Sequence, residues 1–454
     1  MPPHRRIDVV VDSVKRLQRI GATANLANLL QKQHPADLAQ VFGEIQERDR
    51  QAAFNALCDR NSRLAMEALS ELGPENGAKL LAGRAPEEIA ALLQELESDD
   101  AAAIVNYLPE EISAAVLELL GRKEGGEVEN LLEYAEQTAG RIMNPQVFAL
   151  SEDLTVGESI VALQGSRDVE MVFYLYVVDE RRHLVGVISL RRLLLVSPET
   201  PLKRIMTADL ISVRVDTDQE EVARQVASYN LLAIPVVDEE NKLVGVITVD
   251  DVIDVIKDEA TEDIYRLAGV SSDERVFTPP VESLRKRLPW LVVNLATAFL
   301  AASVVKVFES TISAVTALAV FMPIVAGMGG NAATQTLTVI VRGIALGELT
   351  WGNTRKALLK EGLVGIGNGV ATGALAALGA WALQGNPALG AVLAAAMIIN
   401  MFVAATAGTL IPLTLRALKV DPALASSVFI TTLTDVFGFL SFLGLGTVFV
   451  RYLH

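Results

Sequence analysis

The chain has 454 residues, of which 51% are hydrophobic and 21% charged, and its mean hydropathy is +0.36. That hydropathy is too high for an ordinary soluble protein, and a formal net charge of −16 argues against nucleic acid as a partner, because such binding depends on Lys and Arg neutralising phosphates. A single cysteine, Cys58, excludes a disulfide framework and any metal site built from several cysteines.

Acidic side chains are concentrated in the first part of the chain. Residues 285–454 contain only five of the 55 acidic side chains, together with all three tryptophans. This division predicts a multidomain membrane protein in which an acidic soluble half, residues 1–284, is joined to a membrane half.

Residues 1–138 are predicted to form an acidic, all-α superhelical domain, the N domain. Short helices are expected to begin about every twelve residues, near His34, Glu47, Asn61, Gly73, Ala85, Glu97 and Pro109. A proline followed by two acids, as in Pro86–Glu88 and Pro109–Glu111, makes a favourable first helical turn. Repeats of this kind stack into a superhelix.

Residues 139–200 and 201–262 are similar to one another. Leu184–Ser189 of the first copy returns, 59 residues later, as Leu243–Thr248 of the second. Each copy is predicted to contain a helix, two short apolar strands joined by a turn, and another helix. The matched blocks resemble a tandem pair of α/β CBS domains, a regulatory module that often binds adenosine nucleotides.

A Ser or Thr followed three residues later by Asp often contacts nucleotide in CBS domains. The second copy has this pair as Thr248 and Asp251, whereas the first copy has Ser189 and Arg192. Nucleotide is therefore expected at no more than one ordinary site, formed by Thr248 and Asp251. The alternative is that Thr248 only caps the helix that follows it.

The segment 250–263 is dense in acids. At helical spacing Asp250, Asp254 and Asp258 share one face, where they repel one another unless a cation or a base lies opposite. We predict a cytoplasmic cation sensor, with candidates from this segment and from the N domain: Asp99, Asp100, Asp250, Asp251, Asp254, Asp258, Glu259 and Glu262. The alternative is a solvated acidic face.

Residues 263–284 are predicted to form one amphipathic connecting helix before the membrane half. Its apolar positions include Ile264, Leu267 and Val270. Because it would lie just under the spans, it is interpreted as a mechanical coupler between the two halves.

Long stretches without charge predict five membrane-spanning helices in residues 285–454. Each span must be helical, because backbone groups in lipid have to bond within the segment. Basic residues flank the spans mainly on one side, which predicts a cytoplasmic N-terminal half and a C-terminus outside the cell membrane.

Two features within the spans predict an ion path. Pro323–Gln335 contains a proline and three glycines, which predicts a broken helix with freed carbonyls, the alternative being a simple kink. Asp435 falls near the middle of the last span, and no second charged side chain is expected near mid-membrane to pair with it. A hydrated cation is then its natural partner, with a protonated Asp435 as the alternative. Asn331 is a second candidate pore residue.

One carboxylate holds a divalent cation poorly, whereas two from a twofold dimer hold it better. Mg²⁺ keeps several waters and uses one or two carboxylates, while Ca²⁺ takes six to eight oxygens and soft metals prefer thiol or imidazole. The spans therefore favour Mg²⁺ and a homodimer.

The order of these parts, with the blocks Gly327–Asn331 and Thr431–Asp435, resembles the MgtE family of magnesium channels from about Leu26 onward. The resemblance implies a homodimer with the ion path on its twofold axis, lined by the second and fifth spans. It implies that Asp435 is the pore carboxylate and that residues 263–284 form a plug. It further implies that Mg²⁺ on the cytoplasmic acids holds the pore shut, and that ATP binds the CBS pair.

The predicted function is a magnesium-selective channel in the cell membrane, gated shut by Mg²⁺ on its cytoplasmic domains. The alternatives are a proton- or gradient-coupled divalent-cation transporter with CBS regulation, and a sensor without transport. An enzyme is not expected, because the sequence has no nucleophile–base constellation, Walker lysine loop or metal-hydrolase motif. Lipid and a second copy of the chain are the expected partners, with no nucleic acid and no obligatory protein partner.

Overall fold

The computed structural model describes residues 3–121, 126–166, 173–271, 274, 276, 278–418, 420–424 and 427–453. The chain divides into two compact units, Met1–Val255 and Ile256–His454. The predicted outside location of the C-terminus concerns residue 454, which lies outside the described residues.

The first unit opens with a ladder of helices, ten of them in the described residues before residue 139. In chain order they are α1 (Pro3–Arg19), α2 (Thr23–Leu30), α3 (Pro35–Glu44), α4 (Glu47–Cys58), α5 (Ser62–Glu71), α6 (Pro74–Leu81), α7 (Pro86–Leu93), α8 (Ser98–Asn106), α9 (Glu110–Gly121) and α10 (Glu127–Glu133). The predicted all-α N domain is confirmed, and every predicted helix start lies within one residue of the observed one.

Local capping explains why the helices begin where they do. Asn61 accepts a hydrogen bond of 3.2 Å from the Leu64 N–H and so caps α5. Prolines open α3, α6 and α7, where a missing N–H costs no helical hydrogen bond. The helices then bury apolar side chains such as Phe42, Phe54 and Leu69 against their neighbours, which makes the ladder one continuous core.

Two small sheets follow in the first unit. The elements of the first copy are α11 (Ala139–Ile142), β1 (Ala149–Ser151), α12 (Val156–Gly165), β2 (Tyr174–Val178), β3 (Leu184–Ser189) and α13 (Leu190–Leu195). Those of the second copy are β4 (Val213–Arg214), α14 (Gln219–Tyr229), β5 (Ala233–Val237), β6 (Leu243–Thr248) and α15 (Val249–Leu267).

The two sheets share one topology, which confirms the predicted repeat. In each sheet the first strand pairs parallel and the third antiparallel to the central strand. The registers also correspond, since Tyr174 pairs with Ser189 in one sheet and Ala233 with Thr248 in the other.

The connecting segment differs from its prediction. The expectation of one helix over residues 263–284 is wrong, because α15 runs unbroken to Leu267 and the next helix begins at Pro280. Gly269 explains the stop: its φ is +67°, and the Val270 N–H bonds to the Tyr265 carbonyl at 2.9 Å, which closes the helix end. The predicted domain boundaries stay predictions.

The second unit is helical. After α15 its helices are α16 (Pro280–Val307), α17 (Glu309–Ala314), α18 (Ala317–Ala345), α19 (Thr354–Gln384), α20 (Pro387–Ala417) and α21 (Ser427–Val448). Among the described residues, five helices are long and apolar enough to cross a membrane, namely α16, α18, α19, α20 and α21. The prediction of five spans is thereby confirmed.

The predicted break in the second span is wrong. α18 is a continuous helix although Pro323 lies inside it, so only one helical donor is missing. Two of the three glycines of this segment have a different role, which is close packing, whereas nothing lies within 4 Å of a Cβ added at Gly327. Gly329 lies against Asn400 of α20, and Gly330 lies against Thr431 of α21.

Glycines also bring α19 and α20 into close contact. A Cβ atom added at Gly365 would lie 2.7 Å from the Met401 carbonyl oxygen, and one at Gly369 would lie 2.7 Å from the Ile398 Cα. Both distances are too short for a real side chain, so these positions set how closely the two spans approach.

We expect Gly369→Ala to destabilise the folded protein by about 1–3 kcal/mol, because the added methyl group overpacks a backbone contact. Gly367→Ala is the matched control, since nothing lies within 4 Å of its added Cβ on the same helix. Thermal unfolding of the purified protein in detergent measures the difference. Equal unfolding temperatures for the two variants would contradict the packing assigned to Gly369.

Candidate functional site

Hydrogen bonds hold the start of α8 beside the second sheet. The Asn144 side chain donates to the Glu97 carboxylate, and Ser98 Oγ donates to Glu127 Oε2 at 2.9 Å. The Asn144 N–H in turn bonds to the Val246 carbonyl of β6 at 2.8 Å. The first turn of α8 therefore lies next to the strand that leads into α15.

Asp99 of α8 and Asp251 of α15 come together at this junction. Burial, followed by the Asp251 carboxylate, raises the pKa of Asp99 well above its ordinary value. Burial is also the main cause that raises the pKa of Asp251 to about 7. Asp99 Oδ1 is buried and has no hydrogen-bond partner among the described residues. Two such carboxylates repel unless a proton or a cation lies between them.

A second group of acids lies beside this pair. Burial raises the pKa of Asp100, and the carboxylates of Asp250 and Asp254 contribute in the same direction, while a hydrogen bond with Ser70 opposes them. Asp250 and Asp254 are both exposed on α15. The structure therefore brings together five of the predicted sensor acids: Asp99, Asp100, Asp250, Asp251 and Asp254.

The other three predicted sensor acids belong to the second unit. Asp258, Glu259 and Glu262 lie in the part of α15 that follows Val255. Glu262 forms an ion pair with Arg266 one turn later. No conclusion about a sensor role follows for these three residues, and their assignment stays a prediction.

Within the described ranges, no group of three or more His, Cys, Asp and Glu side chains is arranged to hold a metal ion. The Asp99–Asp251 pair nevertheless fits a divalent cation, since it has an orphaned buried oxygen and excess negative charge. Mg²⁺ keeps several waters and uses one or two carboxylates, so a carboxylate pair is a suitable partner.

Thr248 and Asp251, the predicted nucleotide pair, bond to each other. Thr248 Oγ1 donates to Asp251 Oδ2 at 2.6 Å, and the Thr248 N–H donates to the same oxygen at 3.2 Å. This is the arrangement of a helix cap. The Asp251 carboxylate is therefore shared between the cap and the acidic pair with Asp99. ATP binding at Thr248 and Asp251 stays a prediction.

A stripe of polar residues runs along the exposed face of α18. Four members are spaced three or four residues apart and Thr334 adjoins one of them, and all are exposed in the single chain: Asn331, Thr334, Gln335, Thr338 and Arg342. The opposite face of the helix is buried and apolar. Because lipid does not solvate polar side chains, this stripe requires water or another protein surface beside it.

Asp435 lies on α21, the helix that packs beside α18. It is half-buried, and the threonines before it bond to their own helix, for example Thr434 Oγ1 to the Thr431 carbonyl at 2.8 Å. A Cβ at Gly330 would lie 3.4 Å from Thr431 Cγ2, so the glycine turn of α18 touches the turn of α21 that precedes Asp435. Asn331 and Asp435 therefore sit on adjacent, contacting helices.

A second carboxylate, which the sequence did not single out as functional, lies inside the helices of the membrane unit. Glu361 is only 4% exposed on α19, where it accepts a hydrogen bond of 3.3 Å from Thr336 of α18 and pairs with Lys360. Glu361 lies near the start of α19, so the expectation that no second charged side chain lies near mid-membrane stays a prediction. The signal available was the position of Glu361 directly before a long charge-free stretch.

The end of α15 docks on the membrane helices of the second unit. Arg266 forms an ion pair with Asp421, in the segment between α20 and α21. Leu267 packs into a cluster that includes Ala333 and Leu337 of α18 and Ile430 of α21. The C-terminal end of α15, which belongs to the second unit, thus lies against the two spans that carry Asn331 and Asp435.

Family models match most of the chain. Residues 33–137 match the MgtE intracellular N domain, and residues 139–199 and 202–258 match the CBS domain. Residues 322–445 match the MgtE divalent cation transporter model.

Curated relatives cover a similar extent. The magnesium transporter MgtE of Thermus thermophilus is 42% identical over 328 residues, which are 72% of this chain and 73% of the relative. The magnesium transporter MgtE of Enterococcus faecalis is 41% identical over 333 residues, which are 73% of each chain.

Solved structures resemble the soluble part. The crystal structure of the cytosolic domain of the Mg²⁺ channel MgtE in complex with ATP has a TM-score of 0.50 at 38% identity, covering 54% of this chain and 99% of that one. The soluble part of a magnesium transporter also gives a TM-score of 0.50, at 33% identity, covering 56% of this chain and 99% of that one.

Proposed function

Because this chain belongs to the MgtE family of divalent-cation transporters, we propose that it conducts Mg²⁺ into the cell and closes when Mg²⁺ binds its acidic soluble unit. The family is one of transporters and not of enzymes, and the chain is a multi-pass membrane protein. In this proposal the soluble unit is cytoplasmic and the C-terminus lies outside, as the basic residues beside the spans indicate.

The observation that carries the proposal is the polar stripe of α18 beside Asp435 of α21. Exposed amide and guanidinium groups are costly in lipid, and a half-buried carboxylate is costly as well, whereas the hydroxyls of Thr334 and Thr338 already donate to carbonyls of their own helix. A water-filled path along these two helices removes both costs. The carboxylate then attracts cations, while the amides and hydroxyls of Asn331 and its neighbours contact the hydration shell.

The path is completed by a second copy of the chain. In one protomer the stripe faces outward, so it cannot enclose water alone. A twofold axis beside α18 and α21 would place two stripes and two Asp435 carboxylates around one path. Two carboxylates suit hydrated Mg²⁺, whereas the six to eight oxygens that Ca²⁺ prefers are not offered by these side chains.

Closure follows from the acids at the junction of α8 and α15. When both are ionised and no cation is bound, Asp99 and Asp251 repel each other, which disfavours the compact arrangement of the soluble unit. Mg²⁺ stabilises that arrangement because it binds the paired carboxylates better than separated ones. α15 then connects this change to the spans through Arg266 and Leu267.

The raised pKa of Asp251 predicts that protons compete with Mg²⁺. Its carboxyl is neutral below about 7 in the folded unit but ionises near 3.8 in an unfolded chain, so its contribution to stability is complete below 3.8 and is lost as the pH rises through about 7. Mg²⁺ has to displace this proton at pH 6 but not at pH 8. We therefore expect weaker Mg²⁺ binding at pH 6, by up to about tenfold per pH unit.

Calorimetric titration of the full-length protein with Mg²⁺ at both pH values, in buffers of different ionisation enthalpy, counts the protons released. Asp251→Asn is the control that should remove the part of the release that comes from Asp251. Equal Mg²⁺ affinity at pH 6 and pH 8 would contradict the role given to Asp251.

The proposed transport mode is tested by Mg²⁺ flux in liposomes that contain the purified protein. A channel is expected to pass Mg²⁺ down its own gradient at the same rate with or without a pH gradient. A proton-coupled transporter is the second candidate, which the buried Glu361 carboxylate favours. Flux that appears only with a pH gradient, and that Glu361→Gln abolishes, would replace the channel proposal with this one.

A further inference from the structure

Asn400 of α20 is a buried polar residue at the meeting point of three spans. Its side chain is 1% exposed, and its Nδ2 donates a hydrogen bond of 2.9 Å to the Val325 carbonyl of α18. Its Oδ1 is buried and has no hydrogen-bond partner among the described residues. A buried acceptor without a partner costs free energy, and an apolar residue of similar size would avoid that cost.

Two glycines make room for the Asn400 carboxamide. A Cβ atom at Gly329 of α18 would overlap Asn400 Nδ2, and one at Gly438 of α21 would lie 2.7 Å from the same atom. Asn400 therefore fills a space that exists only because both neighbouring helices lack a side chain there. Its amide is in contact with the backbone of both.

These contacts lie close to the two candidate pore residues. Gly329 is two residues before Asn331, and Gly438 is three residues after Asp435. The amide thus touches α18 and α21 within one helical turn of each pore side chain. A shift of either helix against Asn400 changes the separation between Asn331 and Asp435.

We propose that Asn400 is a positioning residue of the ion path, whose carboxamide sets the register of α18 against α21. The part of the inference that concerns transport rests on the proposed function. The register of α18 against α21 can nevertheless be measured without a flux assay. This role explains why a buried Oδ1 without a hydrogen-bond partner is tolerated. The donating nitrogen of the same amide fixes the position of the Gly329 turn.

A disulfide between α18 and α21 reports that register. A Cβ at Gly330 would lie 3.9 Å from Thr431 Cβ, within the range of about 3.5–4.5 Å that disulfides require. The variant Gly330→Cys/Thr431→Cys, made with Cys58→Ser in the full-length protein, is expected to cross-link within one chain on oxidation. Free thiols are then counted by a mass tag, and covalent dimers reveal any link between chains.

Adding Asn400→Leu is expected to slow this cross-link at least about fivefold, because the register is no longer held. Thr409→Val is the matched control on the same helix. Thr409 is equally buried, but its Oγ1 donates only to the Ala405 carbonyl of its own helix, at 2.8 Å. This control should leave the cross-link rate unchanged.

Flux and ion preference are measured in parallel on a protein that carries none of the substitutions made for cross-linking. Asn400→Leu is expected to lower Mg²⁺ flux about tenfold and to change the ratio of Mg²⁺ to Mn²⁺ flux, since a site held about 1 Å too loosely loses function. Its thermal unfolding temperature should be unchanged or higher, because the unpaired oxygen is removed. A purely structural residue would lower both properties together.

An unchanged cross-link rate in Asn400→Leu, or an equal loss in Thr409→Val, would overturn the inference. If Asn400→Leu does not fold, Asn400→Ser replaces it, because serine is too small to clash with either glycine and too short to replace the amide. A wild-type protein without Mg²⁺ flux would contradict the proposed function alone, since the cross-link still decides the role of Asn400.

Discussion

Asp435→Asn is expected to reduce Mg²⁺ flux by more than about a hundredfold while leaving the protein folded. One pair of unit charges about 5 Å apart is worth about 3 kcal/mol at an effective dielectric constant of about 20, and a divalent cation doubles this value. Asparagine keeps the size of the side chain, and no described side chain forms an ion pair with Asp435 that the change would break. Flux into liposomes, normalised to the amount of folded protein, measures the effect.

Ser441→Ala is the matched control for Asp435→Asn. Ser441 lies on the same helix, is half-buried, and donates only to the Gly438 carbonyl at 3.0 Å. Its flux should equal that of the wild type. Flux of Asp435→Asn within about twofold of the wild type would exclude Asp435 as the pore carboxylate, since the loss of one full charge at a cation site cannot be so small.

The double change Asp99→Asn/Asp251→Asn is expected to remove the sensitivity of flux to cytoplasmic Mg²⁺. Coupling between a regulatory ligand and a distant site is typically about 1–3 kcal/mol, so the ratio of flux at low and high Mg²⁺ should fall about five- to 150-fold. The carboxamide oxygen introduced by Asp251→Asn can still accept from Thr248 Oγ1, which keeps the helix cap intact. Flux measured over a series of cytoplasmic Mg²⁺ concentrations tests this expectation.

Glu110→Gln/Glu111→Gln is the matched control. It neutralises two carboxylates of the N domain, as many as Asp99→Asn/Asp251→Asn neutralises, but leaves the acidic junction unchanged. Both residues are exposed in the first turn of α9. Mg²⁺ sensitivity should be retained in this control. If the variant with both Asp99 and Asp251 neutralised also kept its full sensitivity, closure would have to depend on other ligands, and Asp258, Glu259 and Glu262 would be the next to neutralise.

Much of the fold follows from local signals in the sequence. Pro35, Pro74 and Pro86 mark helix starts because only the first turn accommodates a residue without an N–H. The strand pairs of the two CBS-like copies follow from their repeated apolar blocks. Charge-free stretches identify the five spans because length and hydropathy suffice for that purpose.

Tertiary contacts decided the points at which prediction failed. Pro323 and three glycines predict a break in α18 when the helix is considered alone. In the structure Gly329 and Gly330 are instead the places where α20 and α21 approach. By contrast, the end of α15 depends on a local feature, the positive φ of Gly269, and not on the amphipathic pattern of residues 264–270.

The sequence predicted which residues belong to the candidate site but not which of them lie next to one another. The sequence indicated Asp99, Asp251 and Asp435 as functional acids. It could not show that Asp99 faces Asp251, because the residues are 152 positions apart and meet through the contacts of Asn144 and Ser98. Asn400 gave no signal, since one amide in a long apolar stretch is common in membrane helices.

The most direct test of the account is a single flux measurement on the wild-type protein in liposomes. Mg²⁺ is supplied on the side opposite the soluble unit, and Mg²⁺ on the side of the soluble unit is stepped from low to high. The account predicts flux at low Mg²⁺ that stops after the step, at pH 8, without any pH gradient. Flux that continues unchanged after the step would contradict closure by Mg²⁺ at the acidic junction of α8 and α15.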